Sequence, residues 1–502
     1  MSFTENGLIF EDKEKTILMG YEPGYSFPEN FEIPPSVKII KSRAFDSFPS
    51  GPFYDDKINN FAIPSTVEKI ESSAFQYLRA DNVIFQNDSK LKKVEDYAFT
   101  MSRIKKVKLS DDIRKIGRSA FEGAKFLEKI NLDNIEKYND RALAETNIED
   151  ITFSDNVFYI GQSVLDGSNI KKITYASNCS IPREFCAHCV QLEEVNILSN
   201  PEEISFKAFY YCTNLKKINF NEGLKTIGMN AFEWTALSSI AFPSTLKNIW
   251  SKAFINCRLL GDVSFLPGES LTIGANVFEN DPIKYIYIPN TTLELHAHAF
   301  SWMPNLETIK IEADIDCIPA FCFTRCEKLE NIFLPPSVTE IGASAFKYTG
   351  IKEINEQFMH VETFGEYAFE GCHNLKKVFL FDKALLINPN LKNINPALLI
   401  APDLKKINPG VFKDCENIEL IVCLNKQNEV IKEYPPKNAR IYILKDKKFE
   451  HVQGDKEYIS KDMEEAKKNY LELLSFKNAS KVIEAANTVE ESKKEHSEGI
   501  IF

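Results

Sequence analysis

The side chains best suited to metal chemistry in this chain are Cys179, Cys186, His188 and Cys189, the last three within the tetrapeptide CAHC. Thiolate and imidazole are the groups a zinc ion prefers. A zinc motif, however, normally shows two well-spaced ligand pairs, and here there is one pair with two stragglers. A second regularity explains the cysteines better. Cys189, Cys212, Cys257, Cys326, Cys372 and Cys415 each stand three residues after the end of a recurring dipeptide, usually Ala-Phe, and Cys186 replaces the Phe itself. Where that place holds Thr146, Ser168, Thr235, Asp281 or Thr349, the next apolar run begins one residue earlier. Cysteine at this place is therefore expected to act as a small buried hydrophobe in the corner of a repeated unit. Neighbouring units would bring Cys189 and Cys212 within roughly 5 to 6 Å between Cα atoms, a distance a disulfide permits. The total of eleven is odd, so at least one thiol stays free.

His296 and His298 are the other pair that invites a metal reading. They are two apart, so a strand would put them on one face. With no ligand cluster around them in sequence, they are expected to be exposed turn residues. The chain has no G-x-S-x-G elbow, phosphate loop, H-E-x-x-H pair or dinucleotide fingerprint. No enzyme, metal site or cofactor is expected.

The element that positions all these residues is a repeat. Its marker, the Phe of Ala-Phe, falls at Phe45, Phe75, Phe99, Phe121, Phe209, Phe232, Phe254, Phe278, Phe300, Phe346, Phe369 and Phe412. Degenerate units at Leu143, Leu165, Cys186, Phe323 and Lys392 fill the gaps, giving about 17 units, mostly 22 to 24 residues apart. Six residues after Phe209 come Leu215, then Ile218 and Phe220, and the same phase follows Cys186, Phe323 and Phe369. That pattern ends in period-two alternation, which predicts a short strand with one buried face. The segments IPPSVKII and LPPSVTEI predict a second extended piece, with the prolines at the turn between the two. One unit alone buries too little to offset its ordering entropy. Stacking lets every unit share its interior with the next, which predicts parallel β coils piled into a curved rod roughly 80 Å long.

Outward strand positions alternate in charge along the first half: Lys105 and Lys106, Glu128 and Lys129, Glu149 and Asp150, Lys171 and Lys172, Glu193 and Glu194, Lys216 and Lys217. Such rows set register. In the later half the outward places hold Tyr287, Phe333 and Phe379, with Tyr285 nearby. Aromatic residues on an open sheet are natural contact anchors. These four are the candidate protein-binding face, and stacking against one another is the competing account.

The formal charge of -12 and pI near 5.4 repel phosphate backbones, so nucleic acid is not an expected partner. No apolar run approaches the length of a membrane span, and the acidic N-terminal stretch lacks the form of a signal peptide. A cytoplasmic location with reduced thiols follows as the expectation. Residues 1–31 are expected to cap the stack, with LIFEDKEKTILMGY as a hairpin, and 32–424 to form the repeats. A terminal strand, NARIYIL, is expected within 425–450. The Ala-, Glu-, Lys- and Leu-rich residues 459–502 are expected to be a helical tail that caps the stack or binds a partner.

The units IPSTVEKIESSAFQYL, LPPSVTEIGASAFKYT and AFYYCTNLKKINF resemble the BspA-like leucine-rich repeats of bacterial and protist surface antigens, over about residues 33 to 424. That resemblance implies a leucine-rich repeat solenoid used for adhesion or protein binding at a cell surface, with no catalytic residues. An intracellular interaction scaffold is the second expectation, and a metal-dependent enzyme is the weakest.

Overall fold

The computed structural model describes residues 2–46, 58–268, 270–354, 358, 360–379, 406–408, 410–418, 420–423, 440–445 and 448–453. The chain divides into two compact units, Met1–Pro282 and Ile283–Phe502. Both are built from the same coil.

Each coil has a first strand, a turn, a shorter second strand and the Ala-Phe turn. In the first unit, Asn30–Glu32, Asn60–Ile63, Arg79–Phe85, Arg103–Lys108 and Lys129–Ile130 pair in parallel, one coil beside the next. Asp150–Phe153, Lys172–Tyr175, Glu194–Ile197 and Lys217–Ile218 form the same kind of ladder further on. The second strands, such as Lys93–Val94, Lys115–Ile116, Lys137–Tyr138 and Tyr159–Ile160, make a separate parallel ladder. In the second unit Tyr285–Ile288, Thr308–Ile311 and Asn331–Phe333 repeat the first-strand ladder. The prolines stand at the turn between the two strands: the N–H groups of Val37, Val67 and Val338 donate to the carbonyls of Pro34, Pro64 and Pro335.

Every marker residue except Lys392 is described, and all are buried at 4% exposure or less. Their rings form stacks. Phe75, Phe99 and Phe121 lie 4.9 and 5.2 Å apart in sequence along the first unit. Phe323, Phe346 and Phe369 lie 5.2 and 5.4 Å apart in the second. The small residue before each marker has a backbone reason as well as a steric one. The N–H of Phe45 donates to the Ala74 carbonyl, Phe75 to Ala98, and Phe232 to Ala253, at 2.8 to 2.9 Å. A large side chain there would hold the coils apart and break that ladder.

The Ala-Phe turns are held by backbone conformations that composition does not reveal. The residues two before and two after the marker lie in the left-handed region, as in Tyr97 and Met101 around Phe99, and Asn230 and Trp234 around Phe232. Few of them are glycine, although such conformations strain a side-chain-bearing residue. Their N–H groups point along the stack and donate to the next coil: Tyr97 to Arg118, Met101 to Glu122, both at 2.7 to 2.8 Å. The strain is offset by bonds that exist only because another coil follows.

One sequence expectation is corrected. Lys392 lies outside the described residues, but the coils on either side of it pair directly. Thr363 and Phe364 are in register with Lys406 and Ile407, the Phe369 N–H donates to the Val411 carbonyl at 2.9 Å, and the Phe369 and Phe412 rings lie 6.0 Å apart. No place remains in the ladder for a coil marked by Lys392. The spacing misled because 43 residues happens to be close to two periods.

At the N-terminus, Phe3–Glu5, Leu8–Phe10 and Ile17–Tyr21 form an antiparallel meander, and the last of them pairs in parallel with Ile39–Ile40. The hairpin reading of LIFEDKEKTILMGY thus corresponds to Leu8–Phe10 and Ile17–Tyr21. Arg440–Lys445 pairs in parallel with Leu420–Cys423 and is itself covered by an antiparallel strand, Lys448–Gln453. The tail at 459–502 lies outside the described residues.

Candidate functional site

The quartet around CAHC is not assembled. Cys186 and Cys189 are fully buried, whereas His188 has a left-handed backbone and faces outward, its Nδ1 3.1 Å from Asp166. Cys179 is half-buried, with its thiol toward the Val157 carbonyl. His296 lies near Glu294, while the His298 ring stacks flat on Phe321 at 4.7 Å. Both are half-buried rather than openly exposed. Among the described residues no three His, Cys, Asp or Glu side chains gather as a metal ion requires.

The cysteine column is a structural seam with one property the sequence did not show. Each thiol donates to the carbonyl of the preceding coil's marker: Cys189 to Leu165, Cys212 to Cys186, Cys257 to Phe232, Cys326 to Phe300, Cys372 to Phe346 and Cys415 to Phe369, all at 3.0 to 3.1 Å. Cysteine is thus a hydrogen-bonded connector between coils as well as a small apolar filler. Burial pushes the Cys257 and Cys322 thiols well above their ordinary pKa, so they are poor nucleophiles. The ten cysteines whose side chains are described are free thiols. Replacing Cys257 by Ala is expected to lower stability by about 1 kcal/mol, with Ser retaining most of it. Equal losses in the two variants, measured by chemical unfolding, would remove the hydrogen bond from the account.

The charge rows behave as register devices. Lys105 reaches Asp81 at 2.9 Å, Lys171 reaches Glu149 at 2.7 Å, and Glu194 is shared by Lys172 and Lys217. Hydrogen bonds from Lys217 and Lys172 hold the Glu194 carboxyl below its usual range.

The four aromatic candidates lie on first strands of the second unit. Tyr287, Lys310 and Phe333 are in cross-strand register, with Lys310 standing between the two rings. Tyr285 and Phe333 are 49% and 45% exposed. Tyr287 is more confined: its hydroxyl donates to Glu312 at 2.6 Å and the Lys310 ammonium lies 5.6 Å from its ring. The bond to Glu312 raises the phenol's pKa. The strand Lys377–Phe379 is described but the Phe379 side chain is not. The structure therefore brings Tyr285, Tyr287 and Phe333 onto one sheet face.

Sequence reasoning overlooked the outer ridge of the Ala-Phe turns. The left-handed places two before and two after the marker carry exposed rings: Tyr211, Trp302, Phe321 and Tyr367. Arg325 stands between Trp302 and Tyr348, 4.6 and 4.9 Å from their centroids, and Arg258 lies 4.6 Å from Trp234. Glu370 is nearly buried beneath this ridge. Burial pushes its carboxyl up, but hydrogen bonds from Lys347 and Lys413 outweigh that and leave it below the usual range. Counting two places either side of each marker would have found the rings and Arg325, though not Arg258 or Glu370.

No helix among the described residues is long and apolar enough to cross a membrane. The model of the BspA type leucine rich repeat region (6 copies) matches residues 46–172, 179–307, 266–376, 294–419 and 359–442. No curated protein matches the chain. Among solved structures, a leucine-rich repeat protein from Bacteroides ovatus is 20% identical, covering 89% of this chain and 98% of its own, with a TM-score of 0.55. The pneumococcal vaccine antigen PcpA is 18% identical over 76% of this chain and 94% of its own, with a TM-score of 0.44. At 20% identity the likeness to the Bacteroides ovatus protein shows the fold alone. With the family model spanning most of its coils, the chain belongs to the BspA-type leucine-rich repeat family.

Proposed function

We propose that this is a non-enzymatic protein-binding repeat protein, used for adhesion in the manner of a surface antigen, and that it meets its partner with the open face of its first-strand ladder. The observation that carries this is the exposed aromatic row on the second unit. Tyr287 and Phe333 are held in register on either side of Lys310, and Tyr285 and Phe333 leave almost half their surface uncovered. Phe379 extends the row by its place in the repeat. Large aromatic side chains on a rigid sheet lose little entropy on docking and dominate the energy of many interfaces.

The test is capture of partner from the native cell by the full chain and by a Tyr287→Ala, Phe333→Ala, Phe379→Ala variant. The variant is expected to keep its fold and to lose affinity by about 2 kcal/mol or more, roughly thirtyfold. Unchanged capture discards the face. Adhesion makes a separate prediction: protease added to intact cells digests the protein. Protection from protease would leave binding standing and remove adhesion, in favour of an intracellular scaffold.

A further inference from the structure

We infer that Cys372 and Cys415 are a redox latch: a small-molecule disulfide oxidises the two thiols to one disulfide, which ties the coil marked by Phe412 to the coil marked by Phe369. The latch does not depend on the aromatic row or on any partner.

Both cysteines stand three residues after their markers, so they hold the same corner of consecutive coils. At three other junctions the corner side chains touch from one coil to the next. Ser168 Oγ lies 3.5 Å from Cys189 Sγ, Thr235 Oγ1 3.2 Å from Cys257 Sγ, and Thr349 Oγ1 3.3 Å from Cys372 Sγ. The next corner after Cys372 is Cys415, and there the two thiols are hydrogen-bonded to each other. The backbone beside them fixes the approach. The Phe369 N–H donates to the Val411 carbonyl at 2.9 Å and the Gly371 N–H to the Lys413 carbonyl at 2.8 Å. Parallel chains at strand spacing, roughly 4.8 Å, fall within the Cα separations that a disulfide spans. Both side chains are fully buried, so neither is free to turn away into solvent.

Cys189 and Cys212 are the other consecutive pair among the described corners, but Cys186 is bonded to both of those thiols. Every sulfur there has two possible partners. The Cys372 junction also carries the longer tether: 43 residues separate Phe369 from Phe412, where most markers are 22 to 24 apart. A covalent link restricts a long tether more than a short one. The C-terminal strands build on this junction. Leu420–Cys423, which follows Cys415, pairs with Lys377–Phe379, which follows Cys372, and Arg440–Lys445 is added to it.

The chemistry balances with glutathione disulfide as oxidant. One protein thiolate attacks a glutathione sulfur, the glutathione S–S bond breaks and one glutathione thiolate leaves. The second protein thiolate then attacks the sulfur of the first, forming the Cys372–Cys415 bond and releasing the second glutathione thiolate. The two protein protons end on the two glutathione thiols, and two electrons pass from protein to glutathione. Oxidation removes the donations of Cys372 to the Phe346 carbonyl and of Cys415 to the Phe369 carbonyl. Neither acceptor is orphaned. Phe346 keeps the Thr349 hydroxyl at 2.8 Å and Phe369 keeps the Cys372 N–H at 3.2 Å.

The test is equilibration of the native full chain in buffers of increasing glutathione disulfide, followed by alkylation of free thiols, digestion and mass spectrometry. A peptide joining Cys372 to Cys415, two hydrogens lighter than its parts, is expected to appear before any other linked pair. Amide exchange in the coil marked by Phe412 should then slow by at least about tenfold, while the coil marked by Phe323 is unchanged. Cys372→Ser and Cys415→Ser variants should show no redox dependence there; Ser168 and Thr349 already occupy the corner elsewhere, and the linked-peptide assay itself needs no variant. Full alkylation of both cysteines in the most oxidising buffer would overturn the inference. So would coupling of either one to a different cysteine, a retained glutathione adduct, or a linked form whose amides exchange as fast as those of the reduced chain.

Discussion

Replacing Phe232 by Ala is expected to loosen not one coil but three. The side chain is fully buried, with its ring 5.4 Å from Phe209, 5.1 Å from Phe254 and edge-on to Phe220 at 5.6 Å. Truncating a buried Phe costs about 3 to 5 kcal/mol, and aromatic contacts on both faces place this residue toward the upper end. The coil cannot close the cavity by itself. Its neighbours are fixed to it through the Phe232 N–H on the Ala253 carbonyl and the Cys257 thiol on the Phe232 carbonyl. In a solenoid each coil contacts only those beside it, so the loss should spread through nearest-neighbour terms and then fade. Hydrogen exchange is the appropriate measurement, because a repeat array need not unfold as a single cooperative unit. Amides of the coils marked by Phe209, Phe232 and Phe254 should exchange faster, while those around Phe75 and Phe99 keep their native protection. Exchange confined to the mutated coil would refute the shared interior on which the whole fold depends.

The coil and its interior were legible because burial imposes a period. Leu215, Ile218 and Phe232 recur in phase because each must meet its counterpart one coil away, and hydrophobic type is enough to show it. Two features were not legible, for different reasons. The left-handed turn conformations at Tyr97, Met101, Asn230 and Trp234 are stabilised by hydrogen bonds to the following coil. No residue type announces them, since glycine is not required when a neighbour supplies the compensation. The direct stacking of Phe369 on Phe412 was hidden because spacing alone does not distinguish a degenerate coil from an insertion of similar length. Of the candidate site, the register of Tyr287 and Phe333 was readable from the repeat. What surrounds Tyr287 was not: Glu312 reaches it from the end of the neighbouring coil's strand and Lys310 from that strand itself.

Asp281 offers the strongest test of how strictly the corner position is specified. It occupies the place three after the marker Phe278, where other coils carry Cys or Thr, and it is fully buried. Its Oδ1 accepts the Cys257 N–H at 2.7 Å, but that N–H also reaches the Phe254 carbonyl at 3.2 Å, and Oδ2 has no hydrogen-bond partner among the described residues. Burial pushes the carboxyl well above 3.8, opposed only by the bond from Cys257. A group whose pKa is higher folded than unfolded contributes its full stability below the unfolded value and loses it as pH rises through the folded value. At neutral pH this residue should therefore weaken the coils it joins. Threonine at the same place elsewhere resolves the problem: Thr146 donates to the Leu143 carbonyl at 2.9 Å and Thr349 to the Phe346 carbonyl at 2.8 Å. The Asp281→Thr variant should gain about 1 to 3 kcal/mol in the opening free energy of the coils marked by Phe254 and Phe278 near neutral pH. It should gain little at a pH of about 3 or below, under the unfolded value of 3.8, where the carboxyl is largely protonated in both states. Exchange protection measured at the two pH values distinguishes the causes. A gain of equal size at both would trace to packing rather than ionisation, and no gain at either would mean that the buried carboxyl is already satisfied.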